Sequence, residues 1–141
     1  RQQGITPFYV SNRRSKMLAA TADNLRAMGF FVHDDNSNVL LRDDARGWGK
    51  NKGSRRIWVD RDYRVIALFG DNLGDFLDDV FDDPAARLAR SKPYQGWWGT
   101  RWFMLPNPSY GSWLDVMALP CLNAKPAVSV RVCLRRFIRT Q

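Results

Sequence analysis

Apolar residues along this chain fall into short runs separated by polar, glycine-containing breaks. "ITPFYV", residues 5–10, mixes β-branched and aromatic residues between Gly4 and "SNRR", and predicts a buried strand. Beyond it, Met17, Leu18, Thr21, Leu25 and Met28 recur at helical spacing, with Ser15 placed to cap the helix and Gly29 to end it. "NVLLR", residues 38–42, predicts a second strand. A loop, "DDARGWGKNKG", and a basic helix from about Ser54 to Tyr63 follow. "RVIALFG", residues 64–70, is the clearest strand pattern, apolar nearly throughout as strands covered on both faces are. Helical sequence is expected through "LDDVF" and "DPAARLAR", then a buried strand at "RWFMLP", residues 101–106. A last helix is expected over "SYGSWLDVMAL".

Strand and helix in alternation predict an α/β fold on a parallel sheet flanked by helices. In such sheets ligands sit beyond the carboxyl ends of the strands. Three polar clusters occupy those places: "SNR" after the first strand, "GDNLGD" after the third and "NPSYG" after the fourth. Asp71 follows Gly70 directly, and Asp75 lies one helical turn on, where it shares a face with Asp71 if that turn is helical. Paired carboxylates at a strand end suit a hard cation such as magnesium. The plainer reading is that Asp75 caps a helix and Asp71 fills a turn. Ser11, Asn12 and Arg13 offer a hydroxyl, an amide and a fork of donors, which suit phosphate oxygens or, more plainly, a helix start and a surface arginine. Lys52 can neutralise a phosphoryl group, or belong to a solvated basic loop.

Composition narrows the class. A length of 141 residues suits one domain with a modest core, and 45% hydrophobic with 13% aromatic residues is globular rather than disordered. No apolar run approaches the roughly 20 residues of a membrane span, and "RQQGITPF" lacks the apolar region of a secretory signal. The chain starts at Arg1, so it is expected to be processed, a fragment or an incomplete reading of a longer frame. A net charge of +8 suits anionic partners, although its basic residues are spread along the chain and also serve solubility. Cys121 and Cys133 have no metal-ligand spacing. His33, the one histidine, is expected to be structural or exposed, and Trp97, Trp98 and Trp102 to be core rather than a base-stacking platform.

Taken together and in order, "FYVSNR", a lysine before a basic helix, "GDNLGDF" and "FMLPNPSYGSW" resemble the haloacid dehalogenase superfamily. More narrowly, the chain resembles the class C bacterial acid phosphatases of subfamily IIIB, from about Gly4 to Trp113. The resemblance implies a Rossmann-like parallel sheet and a magnesium-dependent hydrolase of phosphomonoesters, with nucleotides as candidate substrates. It also implies roles. Asp71 would bind magnesium and Asp75 support it. Ser11 would hydrogen-bond the transferred phosphoryl group, and Lys52 would steady nucleophile and phosphate. Asn12 and Arg13 would line the same pocket, and Tyr110 would pack against the leaving group. The implied partner is a small phosphomonoester, with no specific nucleic acid and an exported location.

The family's nucleophile is an aspartate in a D-x-D motif at the end of an earlier strand, whose carboxylate forms a phospho-aspartyl intermediate. No D-x-D follows an apolar strand in these 141 residues; "DRD", residues 60–62, precedes its strand. The expected fold therefore lacks the central strand between those of Ser11 and Asp71, is marginally stable, and is open to self-association through its sheet edges. A non-catalytic remnant that binds phosphate compounds or a protein partner is the alternative, with a basic nucleic-acid-binding module as a third reading. Residues 1–119 are expected to form the phosphatase-like core and residues 120–141 an atypical basic tail. That tail is either an added edge strand or an out-of-frame end.

Overall fold

The computed structural model describes residues 4–80 and 83–122, with the backbone alone for residues 118–122. The expected tail therefore lies almost wholly outside the described residues. The chain divides into two compact units, residues 1–65 and 66–141.

In the first unit, β1 (Tyr9–Arg14) pairs in parallel with β2 (Val39–Arg42), and α1 (Leu18–Ala27) lies between them in sequence. Parallel neighbours need such a crossover. β2 follows the expected range closely because Val39, Leu40 and Leu41 are all buried. Alternation sends them to two cores. Val39 and Leu41 join Ala22 and Val32, with Leu18 and Leu25 of α1 packed against them. Leu40 joins Trp48 and Val59, with Phe8, Val10 and Trp58 around them. Val59 and Trp58 belong to α2 (Gly53–Asp60), so this sheet carries a helix on each face. Asn38, fully buried, accepts from His33 N and donates to the carbonyls of Pro7 and Phe31 at 3.0 and 3.3 Å.

Several expectations need correction here. β1 begins four residues later than expected and runs through "SNRR", so Ser11, Asn12 and Arg13 lie within the strand. Its register slips between Ser11 and Arg14, which loosens the ladder at those residues. Ser15 does not cap α1. A 3-10 turn over Ser15–Met17 leads into the helix, and the Ser15 hydroxyl donates to Asp43 O at 2.8 Å. Met28 is exposed rather than on the buried stripe, because α1 ends at Ala27. Gly29 does end the helix, at φ 82°, the left-handed region where a side chain is strained.

In the second unit, β3 (Leu68–Gly70) pairs in parallel with β4 (Trp102–Met104), with α3 (Pro84–Ser91) between them in sequence. Both strands are shorter than their apolar runs. Val65, Ile66 and Phe69 are exposed, against the expectation of a strand covered on both faces. A run this apolar is written for two neighbouring strands, and here it has one. Buried Trp102 is the hub of an aromatic cluster with Phe76, Tyr94, Trp97 and Trp98; of the three tryptophans expected in the core, Trp102 is buried, Trp98 is half-buried and Trp97 is exposed at the cluster's rim. "LDDVF" is not helical as far as it is described: Asp79 sits at φ 54° and Val80 is buried. Helix resumes only where Asp83 caps α3 through Ala85 N and Ala86 N, with Pro84 at its first position. α4 (Ser112–Leu122) closes the described chain. The fold is of the α/β class, with short parallel strands flanked by helices. Among the described residues it holds a two-stranded parallel sheet in each unit.

Candidate active site

The site residues of the first unit gather around the end of β1. Ser11 Oγ accepts from Arg13 N at 3.2 Å, turning the strand end back on itself. Exposed Asn12 turns its Oδ1 to Arg55 Nη2 at 2.7 Å. Arg13, also exposed, reaches Thr21 Oγ1 at 3.4 Å. Lys52, half-buried, occupies the N-cap of α2, where its carbonyl accepts from Arg55 N and Arg56 N at 3.1 and 3.0 Å. The loop before it is anchored by buried Trp48. Arg46 lies over the rings of Trp48 and Trp58 at 4.7 and 5.0 Å and is held by Asp44 at 2.5 Å. Arg55, which the sequence did not single out, joins this loop to Ser11 and Asn12. Its signal was an arginine among apolar positions on a helix otherwise basic by surface.

The second unit gathers its own group at the ends of β3 and β4. Asp71 is half-buried, and its Oδ2 accepts from Asn107 Nδ2 at 2.8 Å. Asn107 Oδ1 in turn accepts from Ser109 N and Tyr110 N at 3.1 and 3.3 Å, so one amide ties Asp71 to the Tyr110 loop. The Tyr110 ring stays exposed. Asp75 turns back: its Oδ2 accepts from Asp71 N and Asn72 N at 2.9 and 3.0 Å. With Asn72 it forms the capping box of a 3-10 turn over Leu73–Asp75, so the turn after Asp71 is tighter than an α-helix. Asn72 Oδ1 also accepts from the buried Ser112 hydroxyl at 2.6 Å, and Ser112 Oγ accepts from Arg87 at 3.0 Å. Arg87 bonds the Val80 carbonyl as well, and burial pulls its pKa below the ordinary guanidinium value. Asn107, Asn72, Ser112 and Arg87 were not foreseen. Each is a common loop or helix residue whose partner is remote in sequence.

Magnesium takes hard oxygens, keeps several waters and uses one or two carboxylates. Asp71 fits as such a ligand, with one oxygen steadied by Asn107. Among the described residues no three His, Cys, Asp or Glu side chains gather as a metal cage. "DRD" is no substitute for the missing motif: Asp60 ends α2, and both aspartates are exposed.

Short parallel strands flanked by helices, with polar groups at their carboxyl ends, define an α/β protein with its candidate chemistry at strand ends. The chain belongs to the HAD superfamily, subfamily IIIB (acid phosphatase), whose pattern matches residues 1–113. It is similar to the solved class C acid phosphatase from Bacillus anthracis, with 25% identity and a TM-score of 0.74 over 99% of this chain and 56% of that one. The structure of that enzyme with tungstate bound is 26% identical, with a TM-score of 0.76 over 96% of this chain and 55% of that one. The chain thus spans just over half the length of the solved relatives it matches.

Proposed function

We propose that this chain is the phosphate-handling portion of a magnesium-dependent acid phosphatase acting on small phosphomonoesters. The observation that carries the reading is the family match over residues 1–113, which takes in each singled-out residue. The Ser11 hydroxyl donates to a phosphoryl oxygen, and the Lys52 ammonium offsets its charge. Asn12 and Arg13 bound the same pocket. In the second unit Asp71 would hold a magnesium ion, and Asp75 keeps the Asp71 turn in shape. Tyr110 offers an exposed ring to the leaving group. The family resemblance also carries an exported location. Among the described residues, no helix is long and apolar enough to cross a membrane.

A second reading is that these 141 residues by themselves bind phosphate compounds without turning them over, since no D-x-D ends an apolar strand within them. One pair of experiments separates the readings. Inorganic phosphate titrated into the 141-residue chain is expected to bind, and Lys52→Ala to weaken it at least tenfold. Unchanged binding in that variant would remove the phosphate site from the first unit. Sustained magnesium-dependent release of p-nitrophenol from p-nitrophenyl phosphate would show that a nucleophile is present after all.

A further inference from the structure

Arg55 is fully buried, at 0% exposure, on a helix whose neighbouring arginines Arg56 and Arg61 reach solvent. Its Nη1 donates to Ser11 O at 2.6 Å. Its Nη2 donates to Asn12 Oδ1 at 2.7 Å and Gly49 O at 3.0 Å, and meets the carbonyls of Asn51 and Lys50 at 3.3 and 3.4 Å. One planar fork thus spans the end of β1 and three successive carbonyls leading into Lys52. These five oxygens are neutral. Taking a guanidinium out of water is costly, and packing alone would be served better by an apolar side chain of that volume. What an apolar residue cannot do is join two backbone segments through one rigid frame of donors. Neither segment is set by a regular ladder or helix: β1 shifts register between Ser11 and Arg14, and residues 49–52 lie before the first turn of α2.

We propose that Arg55 is a positioning residue, which locks the Ser11–Asn12 strand end to the 49–52 segment so that the Ser11 hydroxyl and the Lys52 ammonium meet one phosphoryl group. The proposal rests on the phosphate-site reading above. It predicts that Arg55 and Lys52 are energetically coupled, as residues serving one geometry are, whereas a merely structural Arg55 gives additive losses.

The test uses the full chain with inorganic phosphate as the probe. Phosphate affinity is measured by calorimetry for the wild type, R55K, K52A and the double variant, with amide hydrogen exchange on each. Lysine keeps the charge at position 55 but not the fork. R55K is expected to weaken phosphate about tenfold, with the double variant no weaker than the weaker-binding of the two single variants. Exchange should speed at Asn12, Arg13 and residues 50–52, while Leu40 and Leu41 in the core of the sheet keep their protection. Additive losses, or wild-type exchange at both segments in R55K, would overturn the proposal. Binding that K52A weakens and R55K leaves unchanged would overturn it while the phosphate reading stands. A wild-type chain that binds no phosphate overturns both. If R55K does not fold, Asn12→Ala removes one acceptor from an exposed position. It should speed exchange at residues 11–13, and unchanged exchange there would also sink the idea.

Discussion

Gly70 shows how a single position is decided by what stands next to it. A methyl group there would lie 2.5 Å from Asp75 Oδ2 and 2.8 Å from its Cγ, so glycine is required by the carboxylate that folds back over it. Gly70→Ala is expected to destabilise the fold by about 1–3 kcal/mol through this overlap, seen as a lower urea midpoint. An unchanged midpoint would mean the Asp75 geometry is wrong. The two aspartates of "GDNLGD" should then separate by role. Asp75→Asn weakens two bonds to Asp71 N and Asn72 N, and about 1 kcal/mol of stability should go with them. Asp71→Asn should leave the fold nearly untouched and weaken magnesium binding at least tenfold, measured by calorimetry. Equal effects of the two variants on stability would dissolve the distinction. The pair was visible in the sequence, with both its readings, and the resemblance implied a supporting role for Asp75. Which backbone groups Asp75 meets was not visible, because that turns on which way one carboxylate rotates.

β2 and α3 make the corresponding case for whole elements. Adjacent Leu40 and Leu41 enter different cores, so each truncation opens its own cavity. Leu40→Ala and Leu41→Ala should each cost about 2–5 kcal/mol. Near-neutral behaviour of either would show that its face is not packed. For α3 the decisive residue lies outside the helix: Asp83→Ala removes an oxygen shared by Ala85 N and Ala86 N and should cost about 1 kcal/mol. β2, α1, α2 and α3 lie close to their expected ranges, since helical periodicity and a fully buried run are strong local signals. β1 and β3 do not, because a strand is defined by its partner's hydrogen bonds. "ITPFYV" is apolar before the ladder starts, and "RVIALFG" continues apolar beyond the three residues that pair.

For the molecule as a whole, the consequence lies in sheets of two strands. Each strand keeps one edge without a ladder partner among the described residues. Phe69 stacks on Phe103 at 4.8 Å while remaining 67% exposed. Such edges template association. The purified chain is expected to shift from monomer to larger species as concentration rises, measured by light scattering after gel filtration, with Phe69→Lys reducing the shift. A concentration-independent monomer would remove self-association from the account.

Motif order alone was enough to assign the α/β class and the acid phosphatase family. Those features are local: an apolar run, a glycine, then a carboxylate or hydroxyl at fixed spacing. Tertiary structure alone could decide which side chains hold that chemistry in place. Arg55 reaches across 43 positions to Asn12, Asn107 across 36 to Asp71, and Ser112 across 40 to Asn72. Nothing in the spelling of an arginine, an asparagine or a serine marks such partners. Long-range hydrogen bonds depend on where the chain returns, and the packing of the sheets and helices determines that.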